Sequence, residues 1–121
     1  MTAHFQPPEN FGGLPAKLTR RATSAVLVLP IPYEQTTTYG AGTREGPRAI
    51  LHASRNLELY DEEYGGEPAE RGIHTLAAIE TQADGPAAMR RRIAGVVSSV
   101  VRGGQFLVAL GGEHAITQYA I

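Results

Sequence analysis

Ala25-Val-Leu-Val-Leu29 is an unbroken apolar run with no polar alternation. A strand with one wet face reads apolar, polar, apolar; a continuous run fits a strand covered on both faces, as in a parallel sheet. Pro30 and Pro32 are read as its end, giving a strand near residues 25–30. Working outward, Ile73-His-Thr-Leu-Ala-Ala-Ile79 and Phe106-Leu-Val-Ala-Leu110 predict strands near 73–79 and 106–110. Helix-period segments lie between them. Gly46-Pro47 opens the first, with Pro in the first turn, where its missing N–H does no harm. Ile50, Leu51, Ser54 and Leu57 follow at helical spacing. Asp84-Gly-Pro86 opens the second, in which Met89, Ile93, Val96, Val97 and Val100 repeat with a 3.6 period, and Gly103-Gly104 stops it. Strand, helix, strand, helix, strand implies right-handed crossovers and an α/β fold whose parallel sheet has the first strand in the middle.

The chain has 121 residues, within the range of one domain. Apolar residues at 42% and charged residues at 19% exclude a disordered chain. A net charge of −1 makes no case for nucleic acid or an anionic membrane, and Arg90-Arg-Arg92 falls on the exposed side of a helical pattern. With no cysteine, disulfides, thiol catalysis and thiolate metal sites are excluded. Ala25–Ile31, the longest apolar stretch, is far too short to span a bilayer. Residues 1–22 lack the apolar core of a secretory signal, so the expected location is cytoplasmic. Those residues hold Pro7, Pro8, Gly12, Gly13 and Pro15 without periodicity. They read as an arm on the surface or on a partner, preceding an α/β unit over 23–121.

Chemistry concentrates at two strand ends. Phe106–Leu110 leads straight into Gly111-Gly-Glu-His114, and in open α/β sheets ligands sit beyond the carboxyl ends of strands. Glycine lets backbone approach an ion closely. Two readings stand: a Gly-Gly turn followed by a helix-capping polar pair, or a metal ligand. On the second, His114 is favoured over Glu113, because adjacent side chains cannot easily face one ion; Glu113 is then a partner orienting the imidazole, or a solvated acid. Thr36-Thr-Thr-Tyr-Gly-Ala-Gly-Thr-Arg-Glu-Gly-Pro47 follows another strand end and should share that rim. Either it is a substrate-rim loop using Thr38, Tyr39, Gly40, Thr43 and Arg44, or it merely shapes a long turn. Arg44 could reach a carboxylate or cap a carbonyl. Gly40-Ala-Gly42 lacks the residues of a phosphate cradle. His4, His52 and His74 have no companion at metal-ligand spacing and read as structural or exposed. Glu58, Asp61, Glu62 and Glu63 around Tyr60 read as a solvated turn.

Pro32 to Ser54, then Leu57-Glu-Leu-Tyr-Asp-Glu-Glu63, then Leu110-Gly-Gly-Glu-His114 resemble the N-terminal part of the ureohydrolases of the arginase and agmatinase family, agmatinase most. The resemblance covers residues 24–121. It implies a three-layer α/β/α fold around a mostly parallel sheet, of which the first three strands are present. It implies a site with two Mn²⁺ ions bridged by a hydroxide, a small guanidino substrate such as agmatine (giving putrescine and urea), and a homo-oligomer. His114 maps onto a ligand of one ion. The family's remaining ligands come from Asp-x-His-x-Asp and Asp-x-Asp stretches that do not occur in this chain. A later His behind the ligands and an acid that grips the substrate are absent as well. The sequence therefore reads as the first part of an enzyme, inactive in isolation. Alternatives are a non-catalytic module that joins intact subunits, an enzyme of the family acting on arginine or guanidinobutyrate, and a small α/β domain binding an unrelated ligand at the same rim.

Overall fold

Three parallel strands form one sheet in the order β2-β1-β3, with β1 at Val26–Ile31, β2 at Ile73–Thr75 and β3 at Phe106–Gly111. The computed structural model describes residues 9–36, 39–81 and 85–121. Helix α1 (Gly46–Ser54) connects β1 to β2, α2 (Gly85–Arg102) connects β2 to β3, and α3 (Ala115–Tyr119) follows β3. Asp84, expected to open α2, and His4 of the arm lie outside the described residues.

One strand boundary differs by more than a residue from the sequence reading, and Pro30 accounts for it. Strand β1 runs through Pro30 to Ile31, one residue past its expected end. Val28 and Pro30 turn the same edge towards β2: their carbonyls accept from Leu76 N–H at 2.8 Å and Ile79 N–H at 3.0 Å. Pro30 has no N–H to return, so the regular ladder lapses there. β2 accordingly ends at Thr75 instead of Ile79. On the other edge β1 stays paired with β3 as far as Ile31 opposite Gly111.

Side chains alternate across the sheet, so Leu29 and Ile31 share one face. They pack with Met89 and Ile93 of α2, Ile79, Tyr33 and Ile116 of α3. Met89 and Ile93 are 1% and 0% exposed, and each such side chain contributes roughly 1.5–3 kcal/mol on burial. This is the apolar stripe that the 3.6 period marked. Helix α1 lies against the opposite face, where Pro30 and Leu51 line a common groove. Arg90, Arg91 and Arg92 are exposed. Phe106 is 68% exposed, and β3 pairs only with β1 among the described residues.

Residues 9–22 lie on the chain's own body. Leu14 is buried, Phe11 N–H donates to Thr75 Oγ1 at 2.9 Å, and Gly12 N–H donates to Ser54 Oγ at 2.8 Å. His74 Nδ1–H donates to Thr19 O at 2.7 Å, a structural role. The acidic stretch forms an exposed turn closed by Asp61 N–H to Gly66 O at 2.8 Å.

Candidate functional site

Because Ile31 and Gly111 are ladder partners, the segments leaving β1 and β3 start side by side. Gly112 makes their contact possible. Its φ is 68°, and a Cβ there would strike Ile31 O and lie 2.9 Å from Tyr33 O. The Gly111–Gly112 peptide is cis. With no side chain in the way, Glu113 N–H donates to Tyr33 O at 2.8 Å and Gly112 N–H to Thr43 O at 3.4 Å. The turn after β3 thus touches both the entry and the exit of the loop after β1.

Glu113 is 5% exposed. Its Oε2 accepts the N–H groups of Gln35 at 2.6 Å and Thr36 at 2.9 Å, and its Oε1 accepts the Thr36 hydroxyl. Burial alone would raise its pKa; the Thr36 hydroxyl and the two N–H donors outweigh that and hold it below the usual carboxylate range. Glu113 is therefore no solvated acid, and its hydrogen bonds lead into the loop rather than to the imidazole of His114.

A second carboxylate, Glu34, closes the loop's far side. Its Oε1 accepts Gly42 N–H at 2.7 Å, the Thr43 hydroxyl at 3.0 Å and Arg44 N–H at 3.4 Å. Its Oε2 accepts Arg44 Nε–H at 3.2 Å and Nη2–H at 3.1 Å. Desolvation pushes its pKa up, but the donors from Gly42, Thr43 and Arg44 prevail and pull it down to about 2. Of the two roles open to Arg44, the structure thus takes the carboxylate. Tyr33 between these acids is buried, and its hydroxyl pKa is raised by burial, then by Tyr119 and Glu113.

His114 stands at the start of α3, exposed, and makes no capping side-chain hydrogen bond. The polar-pair capping reading thus gains nothing from either residue. Of the loop residues singled out in the sequence, Thr43 and Arg44 are tied to Glu34, Gly40 is exposed with φ 71°, and Tyr39 is 97% exposed. Thr38 lies outside the described residues. His52 is exposed on α1. Among the described residues no three His, Asp or Glu side chains gather to hold a metal ion. A groove of about 1100 Å³ runs along α1 and reaches the rim at Arg44, but neither Glu113 nor His114 lines it.

One rim of the three-stranded parallel sheet thus carries both the acid-fastened loop and the Gly-Gly-Glu-His turn. Residues 24–121 match the Arginase family, and the chain belongs to it. It is 46% identical over 105 residues to a Synechocystis protein named N(1)-aminopropylagmatine ureohydrolase, covering 83% of this chain and 34% of that protein. A Thermus thermophilus protein of the same name is 41% identical over 92 residues, 76% of this chain and 31% of that protein. The fold superposes on the crystal structure of agmatine ureohydrolase of Thermoplasma volcanium with a TM-score of 0.81 at 28% identity, over 97% of this chain and 38% of that one. The chain spans about a third of the length of the curated relatives it matches.

Proposed function

We propose that this chain supplies the rim loop and one metal ligand of a ureohydrolase site, which hydrolyses the guanidino group of agmatine or of an aminopropylated agmatine to urea and an amine. With agmatine the amine is putrescine. The observation that carries this is the Glu113 carboxylate, which joins the loop to the turn and leaves the adjacent His114 exposed at the carboxyl end of β3. The names of the relatives support the substrate class.

An imidazole at that position suits a divalent ion such as Mn²⁺, and the donor set fits one coordination position. Glu113 and Glu34 have their oxygens committed to loop donors, so His114 is the residue that would hold the ion. When bound, a pair of such ions lowers the pKa of water and orients it against a guanidinium carbon, a poor electrophile because its charge is delocalised. The chain's own residues do the rest. His114 offers its imidazole. Glu113 keeps turn and loop in register. Glu34 neutralises Arg44, whose positive charge would otherwise repel a cationic guanidino substrate at the rim. Tyr39 and Gly40 stand exposed on the tip. We further propose a cytoplasmic homo-oligomer.

The test is urea release with Mn²⁺ supplied, by the complete product of the encoding gene. Agmatine, N(1)-aminopropylagmatine, arginine and guanidinobutyrate are the substrates. Turnover of one of the first two above the others is expected; turnover of none of the four refutes the proposal.

A further inference from the structure

We propose that Glu113 is a positioning residue, a latch that registers the rim loop against the turn bearing His114, while Glu34 closes the same loop at its other end. The purpose of the latch rests on the ureohydrolase reading, but its existence is a matter of geometry. Among the described residues of the loop, the N–H groups of Gln35, Thr36, Gly42 and Arg44 donate to side-chain carboxylates rather than to a strand. Glu113 takes the entry, with two N–H groups and one hydroxyl. Glu34 takes the exit, through Gly42, Thr43 and Arg44. The two ends are drawn together at the base, and the tip carrying Tyr39, which is 97% exposed, is left outward.

The arrangement also separates two roles that neighbouring residues could have shared. A carboxylate offers about four lone-pair sites, and Glu113 spends three of them on the loop. It is buried while His114 is exposed. Because Glu113 and His114 are consecutive, loop and ligand are one covalent step apart. Releasing the Glu113 carboxylate therefore loosens the loop's entry at Gln35 and Thr36, while the Gly112 N–H to Thr43 O and Glu113 N–H to Tyr33 O bonds and the sheet ladder stay in place.

The experiment is residue-resolved amide hydrogen exchange on the whole chain, in whatever oligomeric state it adopts, comparing wild type with Glu113→Ala, Thr36→Val and Thr36→Ser. Alanine removes the acceptor of both N–H groups. The Gln35 and Thr36 amides are expected to exchange about tenfold or more faster in Glu113→Ala. The sheet amides of Leu76, Ile79 and Phe106, which donate to β1 and Ala25 carbonyls, should keep their rates. Thr36→Val, which loses only the hydroxyl donor, should give a smaller acceleration, and Thr36→Ser should restore the wild-type rate. Unchanged rates at Gln35 and Thr36 in Glu113→Ala overturn the proposal. So does equal acceleration at the three sheet amides, which would make Glu113 a general stability residue. No metal or substrate enters the measurement, so its failure is distinct from a failure to release urea.

Discussion

Replacing Gly112 by alanine should cost this chain more than any other single-methyl addition on the rim. At φ 68° an alanine sits in the left-handed region, at a cost of about 1–2 kcal/mol. Its Cβ would also lie against Ile31 O and within 2.9 and 3.0 Å of Tyr33 O and N. These are backbone atoms of the central strand's exit and cannot swing aside as a side-chain end could. Relieving the clash separates the turn from Tyr33 and breaks the Glu113 N–H to Tyr33 O bond of 2.8 Å, a further loss of about 1 kcal/mol. With the displaced contacts the total is about 3 kcal/mol, large beside a typical domain stability of about 5–15 kcal/mol. At about 4 °C per kcal/mol for a chain of this size, Tm should fall by roughly 12 °C. Gly40→Ala is the control: its φ is 71°, yet among the described residues nothing lies within 4 Å of the added methyl. It should lose only the conformational part, about 1–2 kcal/mol. Thermal and urea melts of the two variants decide the matter. Equal losses in both would refute the close-approach argument, because only the clash distinguishes them.

Acid should loosen the loop before it melts the sheet. The Glu34 carboxylate is pulled to about 2 when folded, below its unfolded value, so its stabilisation is fully present above about pH 4.5 and is lost as pH falls from there towards 2. Glu34→Gln should flatten that part of a pH–stability profile, and an unchanged profile would contradict the assignment. Among the described residues β3 pairs on one side alone, and its other side, with Phe106 68% exposed, is a template for strand addition. The 121-residue chain is expected to self-associate in light scattering, and Phe106→Lys to reduce this; a monodisperse wild-type monomer would contradict it. Mn²⁺ with the 121-residue chain alone should release no urea from agmatine above a His114→Ala control. Among the described residues no three His, Asp or Glu side chains gather to hold an ion, and release above the control would refute this.

The fold was legible because its signals are cumulative. The uninterrupted run from Ala25 to Leu29 required cover on both faces, and the Met89-to-Val100 period supplied one covering helix. The extent of β2 was not legible, because its end depends on how the neighbouring strand presents a proline. Here Pro30 turns its missing N–H towards the neighbour whose ladder lapses, a fact of register rather than composition. At the site, the sequence placed the loop and the Gly-Gly-Glu-His turn together, since both follow neighbouring strand ends. It did not disclose what Glu34 and Glu113 do. An acid in a polar loop looks solvated until its partners are known, and those of Glu113 lie 77 and 78 positions away. One signal was available for Glu34 alone: it directly precedes the loop, and a neighbouring acid is a natural acceptor for the N–H groups of Gly42 and Arg44.

His114 as a metal ligand set beside a latched loop is the central claim. The direct measurement is Mn²⁺-dependent urea release by the complete gene product, in wild type and as His114→Ala, with the fold of each checked by circular dichroism. The variant is expected to keep its fold and lose turnover by about a hundredfold or more at limiting Mn²⁺, with part of the loss recovered at high Mn²⁺, as removal of a ligand requires. A folded His114→Ala protein that releases urea at the wild-type rate across the Mn²⁺ titration would contradict it.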